Sequence, residues 1–543
     1  MHAATVMWRE SYVGRFEPNV EKRDCVLPQQ HRLQSFRALP KIVRDARFTE
    51  TRTRSRIMMN DWAAWAIETA KRRGATYADV RVMDIRQRDI STKNGEVGTL
   101  SETESLGIGI RVIAGGSWGF SSTDRLTREG VQACAAEAVA IAKASALAKR
   151  EDVALAPEAS YVDTWQNPFL KDPFRIPVER QIDLLLAADK EMRRVKGVTV
   201  TEGCMTFRRI EQLFASSAGS QIHQIKMQSG AGIVATAFSG NEIQKRSYPN
   251  SFGGQHMLAG YELVESLDLT AHAQRIGEEA VALHSAAQCP EGQRTIILDG
   301  SQLGLQIHES IGHPIELDRV LGMEANFAGM SFLTTEKLRK LKYGSDIVNV
   351  VADARLEHGP GLGTFAYDDE GVPAQCTPII TNGLFTGYLS SRETASAIGE
   401  KRSGGTVRTE CWNRLPMIRM TNISINPGTW KYDELIADTD DAILMETNRS
   451  WSIDDRRYHF QFSTEIGWEI KGGRKGRMLK NPSYSGITTE FWNSCDAICS
   501  RDYWTLWGTP NCGKGQPMQT MGTGHGASPA RFHNVKVGAA FAK

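Results

Sequence analysis

The chain has no uninterrupted apolar run of about 18 residues, the length a membrane-spanning helix needs. It opens without a basic segment followed by an apolar core, so no secretory signal is expected. Paired CxxC motifs are absent. The nine cysteines are scattered and odd in number, which excludes a small disulfide scaffold and fits a reducing compartment. Net charge is slight, +2 over 543 residues, and argues against nucleic-acid binding by bulk electrostatics. Together these absences predict a cytoplasmic protein with neither a membrane nor a nucleic acid as partner.

What is present is ordinary globular material, 41% apolar and 24% charged, in a length that calls for two or more domains. The slight net charge hides an asymmetry. Residues 1–57 hold ten Arg and two Lys against six acidic residues, a balance of +6 that leaves −4 for the remainder. This Arg-rich extension shows no periodicity and is expected to be disordered or to reflect a mis-assigned start. Met58-Met59 leads at once into Asn60-Asp61, good helix caps, and then into an amphipathic helix closed by Gly74.

Residues 58–290 run helix, strands, helix, and then do so again. Strands are expected over 78–86, over 89–99 with a turn at Asn94-Gly95, and over 106–113, before a helix over 126–149. After a connector over 150–174, the second round reads as a helix over 178–194, strands over 198–208, 210–216 and 222–237, and a helix over 267–287. Gly107 and Gly109 lie within a strand and open no helix, so they do not form a phosphate loop. The expectation is an N-terminal α/β domain with layered helices on a sheet, which scaffolds and encloses a site made elsewhere. Residues 291–543 carry short strands parted by Gly, Asn and Pro, and predict a mostly antiparallel sandwich or barrel. The whole chain is thus of α+β class.

The chemistry gathers in one stretch, from His308 to Asp318, after the apolar run Thr295–Leu298 and a turn at Asp299-Gly300. In HExxH zinc helices the two histidines stand four residues apart and share a face. Here His308 and His313 stand five apart, which on an ideal helix separates the rings by about 140°. They can meet at one metal only if the helix is disturbed. Gly312 and Pro314 supply a disturbance. The helix is therefore expected to start near Ser301 and to kink or end near Gly312, or to carry a π-bulge. A hydrolytic zinc site takes three protein ligands and leaves a position for water. Glu316, His525 and Cys512 are each candidates for the third ligand, and Glu309, next to His308, is the natural general base. Cys495 and Cys499 have no second cysteine pair to complete a site and are read as core residues of a short helix.

HESIGHPIELDR resembles the HExxxH signature of the TldD/PmbA family of metal-dependent peptidases. Further stretches agree in order: Tyr367–Gln375 is similar to YDDEGxPAQ, Asn382–Ala395 to NGxLxGYLxxRETA, and Asn511–Gln516 to CGKxGQ. The similarity runs from about residue 60 to the end. It implies a peptidase acting on unfolded polypeptides, one zinc per chain, and Cys512 as the third ligand beside His308 and His313. It implies a dimer as well, with itself or with a related subunit that lacks the histidines; this chain has both and resembles the TldD type. Glu316 and Asp318 are expected to hydrogen-bond the ligand imidazoles, and Lys514 or the amides of 513–515 to face the oxyanion. The acidic stretch Tyr367–Gly371 is either part of a substrate channel or a solvated turn. Two rival readings stand beside the peptidase: a metal-dependent hydrolase of small amides, and a non-catalytic assembly subunit. A purely structural zinc site would have no use for Glu309.

Overall fold

A computed structural model describes residues 46–326 and 329–538. The first part is built on two long hairpins. β1 (Tyr77–Lys93) turns at Asn94-Gly95 into β2 (Glu96–Ala114), and β3 (Ser117–Thr123) follows. Both turn residues have positive φ, 51° and 86°, as the tight hairpin requires. The strands expected over 78–86 and from 89 onward are one strand. No break occurs between them because Arg88 stays buried, donating to Glu102 at 2.8 Å and Gln181 at 3.1 Å. In the same way β5 (Val198–Ser216) joins two expected strands and turns into β6 (Gln221–Ser239). β4 (Val162–Gln166), inside the expected connector, pairs parallel with β6. β7 (Glu242–Tyr248) and β8 (Gln255–Met257) also pair with β6, in a sheet ordered β3-β2-β1-β5-β6-β4.

One face of this sheet is covered by helices in two pairs. α1 (Ala46–Arg72) and α2 (Arg128–Ser145) pack on Val80, Val82 and Leu213. α3 (Val178–Arg193) and α5 (Leu269–Ser285), the latter preceded by the short α4 (Glu262–Ser266), pack on Ile90, Met205 and Phe207. These strand residues alternate in step, so both pairs lie on the same face. α1 begins at Ala46 and not at the expected caps Asn60-Asp61, so residues 46–57 of the Arg-rich extension are helical backbone. Residues 1–45 of that extension lie outside the described residues.

The opposite face receives the C-terminal part. Arg111 reaches Glu370 at 3.1 Å, and Gln212 donates to Asp369 at 2.6 Å. Trp412 lies so close to Gly107 and Gly109 that a Cβ on either would stand 2.3 or 2.2 Å from it; these glycines serve close packing. The acidic stretch is no solvated turn, since Asp368, Asp369 and Glu370 are 1%, 5% and 4% exposed.

In the C-terminal part Asp441–Ile453, Gly292–Leu298, Ala530–Val537, Ser483–Ile487 and His459–Lys471 pair in that order, and the last pairs back to the first. This closes a barrel. Beside it, a second sheet contains Val350–Asp353, Asn422–Ile425, Gln519–Ala527 and, at its edge, Thr505–Lys514. The pairing is mostly antiparallel, as expected, with a parallel contact in each sheet. α6 (Gly300–Ile307) is buried along its whole length between these layers. Cys495 stands in a strand, Cys495–Ile498, and not in the expected helix; it and Cys499 are both buried. Among the described residues no helix is long and apolar enough to cross a membrane.

Glu465, fully buried on the barrel, accepts from Ser247 N at 2.7 Å, Ser247 Oγ at 2.6 Å and Arg246 Nη1 at 3.2 Å, and so joins the two parts. Glu465→Ala removes a buried partner and is expected to destabilise the protein by about 3 kcal/mol. A fall in the urea midpoint measures it.

Candidate metal centre

Asp299 caps α6, accepting from Ser301 N and Gln302 N at 3.0 Å each. The helix keeps its regular turn to Ile307. Over His308–Gly312 it widens into a π-turn, in which His313 N donates to His308 O at 3.1 Å. A five-residue hydrogen-bonded turn stacks the histidines that a regular helix would hold apart. Their ring centroids stand 4.9 Å apart, edge to face. The widened turn leaves polar groups that the regular ladder no longer serves. Tyr343 Oη donates to Ser310 O, and Ser310 Oγ donates to Gln306 O at 2.6 Å while accepting from Trp492 Nε1 at 3.0 Å. Gly312 is needed for room, since a Cβ there would lie 2.3 Å from Met420 Sδ.

Cys512 comes from the facing sheet edge. Its strand pairs Thr509 with Thr523 but Cys512 with Met521, so one extra residue is inserted at 510–511. This β-bulge turns Cys512 onto the face that carries Thr523 and His525. Without it Cys512 would point to the other side. The residue is 3% exposed and stands within a strand.

His308, His313 and Cys512 thus converge, with their ligand atoms all within 4.8 Å of one another. Cys512 Sγ lies 3.8 Å from His313 Nε2. Zinc–sulfur and zinc–nitrogen bonds at a tetrahedral angle would set this separation at about 3.6 Å. The donor set and its spacing fit zinc.

Hydrogen bonds behind each ring present the correct nitrogen. Ile423 O can only accept, so His525 Nδ1 donates to it at 3.2 Å and leaves Nε2 as an acceptor. His308 Nδ1 then donates to His525 Nε2 at 2.7 Å, and the lone pair of His308 Nε2 is left for a ligand. His313 Nδ1 donates to Glu316 Oε2 at 3.1 Å, with the same result for its Nε2. His525 and Glu316, two of the candidates for third ligand, therefore stand behind the imidazoles.

Charge follows the same plan. Burial would raise the Cys512 thiol, but His308, Arg419 and His313 outweigh it and hold it well below its ordinary range. Burial would raise Glu316, yet Lys514, His313 and Arg319 hold it well below the usual carboxylate range. Burial lowers His525 well below the usual histidine range, with the charges of His308 and His313 adding to it, which keeps it neutral. Glu309 is 5% exposed and accepts from Arg457 Nη1 at 2.8 Å. Burial opposes its ionisation, but Arg457, His313 and His308 together lower its pKa.

Two expected roles are corrected. Asp318 meets no imidazole among the described residues; its oxygens accept from Lys514 Nζ at 2.7 and 2.9 Å. Lys514 gives its remaining bond to Ile418 O at 2.7 Å and faces Glu316 at 3.5 Å, so it points inward and not at an oxyanion. Arg457 was missed by sequence reasoning. Its signal was the aromatic, Arg-rich stretch 451–459, which forms a hairpin end where Arg457 takes φ of 63°.

Comparison with known proteins shows the family. Models of the PmbA/TldA metallopeptidase match domain 1 over residues 78–142, the central domain over 171–285 and the C-terminal domain over 291–539. A metalloprotease of Methanothermobacter thermautotrophicus is 31% identical, covering 85% of this chain and 95% of that one. The chain belongs to the PmbA/TldD metallopeptidase family. A metalloprotease TldD homolog of Haemophilus influenzae is 26% identical, with 86% and 93% covered. A TldE crystal structure from Thermococcus kodakarensis shares the fold, with a TM-score of 0.65 at 16% identity over 89% of this chain and 100% of that one.

Gly312→Ala is expected to lower metal affinity by more than about tenfold by forcing the π-turn off Met420, and Gly312→Ala with Met420→Ala to recover part of the loss. His525→Ala, which removes the hydrogen-bond partner of His308 Nδ1, is expected to cost about 10- to 100-fold. Metal titration against a competing chelator measures both.

Proposed function

We propose that this PmbA/TldD-family protein is a zinc peptidase that cleaves unfolded polypeptides. The observation that carries the reading is the meeting of His308, His313 and Cys512 beside a buried, ionised Glu309. One zinc held by these residues supplies Lewis acidity for water and for a scissile carbonyl. A thiolate among the ligands moderates that acidity, which places more of the work on the general base.

Glu309 is held for that work. Arg457 holds its Oε2, and the carboxylate so oriented takes a proton from the attacking water and passes it to the leaving amine. Burial keeps the carboxylate out of bulk solvent, and the nearby cationic guanidinium keeps it ionised. His525 and Glu316 hold the imidazole nitrogens in the required tautomers throughout. A sheet edge beside the metal would suit an extended peptide with loose sequence selectivity, but along Thr505–Lys514 Gln255 already bonds Leu506 O and Gly508 N and Arg419 bonds Cys512 O. The family resemblance supports a cytoplasmic dimer, with itself or with a related subunit that lacks the histidines. Glu309 speaks against a non-catalytic assembly subunit, and the metallopeptidase family speaks for peptides over small amides.

The test is metal content together with hydrolysis of an unfolded protein substrate. The wild type is expected to hold about one zinc per chain and to hydrolyse it. Cys512→Ser is expected to lose both. Glu309→Gln is expected to keep the zinc and to lose about 100- to 10,000-fold in rate. Zinc retained in Cys512→Ser would overturn the ligand set, and full activity in Glu309→Gln would overturn the base.

A further inference from the structure

A cavity of about 370 Å³ opens beside the metal centre, between the sheet face of the N-terminal part and the loops of the C-terminal part. That volume is in the range of a ligand site. Its wall includes Asp318, whose partner Lys514 faces Glu316, the residue that holds His313. Its rim includes Gln516, in the turn that follows the strand carrying Cys512. Two buried side chains, Lys514 and Glu316, thus stand between this wall of the cavity and His313.

The lining changes character with depth. Met323 and Leu415 are 58% and 45% exposed and stand at the mouth, with Met417 beside them. Glu370 is 4% exposed and marks the deep end. Unbranched, polarizable methionine suits a wall that must fit a flexible aliphatic chain.

The polar groups leave a negative excess. The one guanidinium in the lining, Arg111, is already bound to Asp79 at 2.7 Å and Glu370 at 3.1 Å and lies 4.2 Å over the Trp118 ring. Asp318 is matched by Lys514. Glu393 and Glu324 remain. Glu393 accepts from Trp118 Nε1 at 3.0 Å and Glu324 from Gly515 N at 3.2 Å, and neither has a cationic partner within salt-bridge distance among the described residues. Burial, with Glu370 adding to it, pushes the Glu393 carboxyl above its ordinary range against the opposing pull of the Trp118 hydrogen bond and the Arg111 charge.

We propose that this cavity is a subsite for a lysine or arginine side chain of the bound peptide, with the aliphatic stem along Met323, Leu415 and Met417 and the cationic head at Glu393 and Glu324. An acidic or purely apolar side chain would leave the carboxylates unmatched. The inference rests on the peptidase reading and names a substrate class for it: unfolded segments that carry basic residues.

Binding tests it without requiring turnover. Zinc-loaded Glu309→Gln protein is titrated with N-acetylated fluorescent peptides that differ only in one central residue: lysine, norleucine or glutamate. The lysyl peptide is expected to bind at least about tenfold more tightly than the norleucyl one, and the glutamyl peptide most weakly. Adding Glu393→Gln is expected to reduce the lysine advantage to below about threefold, and Glu393→Lys to turn it in favour of the glutamyl peptide. Equal binding of the lysyl and norleucyl peptides would overturn the subsite. So would a lysine advantage untouched by both Glu393 variants, or one seen only when the acetyl group is absent and the free amino terminus supplies the cation. The same peptides given to protein with Glu309 intact report separately on hydrolysis, so a failed peptidase reading and a failed subsite give different results.

Discussion

The hydrogen bond from His313 N to His308 O is the constraint on which the site depends. It closes a five-residue turn where a helix would close a four-residue one, and by that change alone carries His313 to the same side as His308. Much of the surrounding structure serves this turn. Met420 fills the space beside Gly312, Tyr343 takes up the Ser310 carbonyl, and Trp492 holds the Ser310 hydroxyl. These partners come from widely separated parts of the C-terminal chain. The turn is held by the packed core and not by its own sequence alone.

A second local irregularity completes the geometry. The bulge at 510–511 reverses the side on which Cys512 stands, and Arg419 ties down its carbonyl. Two candidate ligands thus come from a helix that departs from its regular period, and the third from a strand that departs from its own. Behind them, His525 and Glu316 hold the outer ring nitrogens, and Lys514 and Arg319 balance the buried Glu316. The plan is layered: groups that face the metal position, groups that fix their tautomers, and groups that neutralise those.

Much of this was legible in the sequence. The five-residue spacing of His308 and His313, with Gly312 and Pro314 after it, called for a kinked or widened helix, and a π-turn is what forms. The Asn94-Gly95 turn and the strand-rich C-terminal part were likewise readable. What was not readable depended on distant partners. Arg88 looks like a strand break until Glu102 and Gln181 bury it. Asp368 to Glu370 look like a solvated turn until the face of the first sheet covers them. Lys514 looks like a free donor until Asp318 and the Ile418 carbonyl take its protons. Gly513 and Gly515 suggest a turn after Cys512, whereas Pro510 stands at the bulge in the edge strand that brings it inside. Arg457 reaches Glu309 from a hairpin end far along the chain, a contact that no local spacing encodes.

The most direct measurement of the central claim is zinc K-edge X-ray absorption on the purified, metal-loaded protein. The account predicts one sulfur at about 2.3 Å and two imidazole nitrogens at about 2.0 Å, with a light atom completing the shell. A shell of nitrogen and oxygen alone would contradict it, because Cys512 would then not be a ligand. A shell with a single imidazole would contradict it more deeply, because the π-turn would then not bring His308 and His313 to one ion.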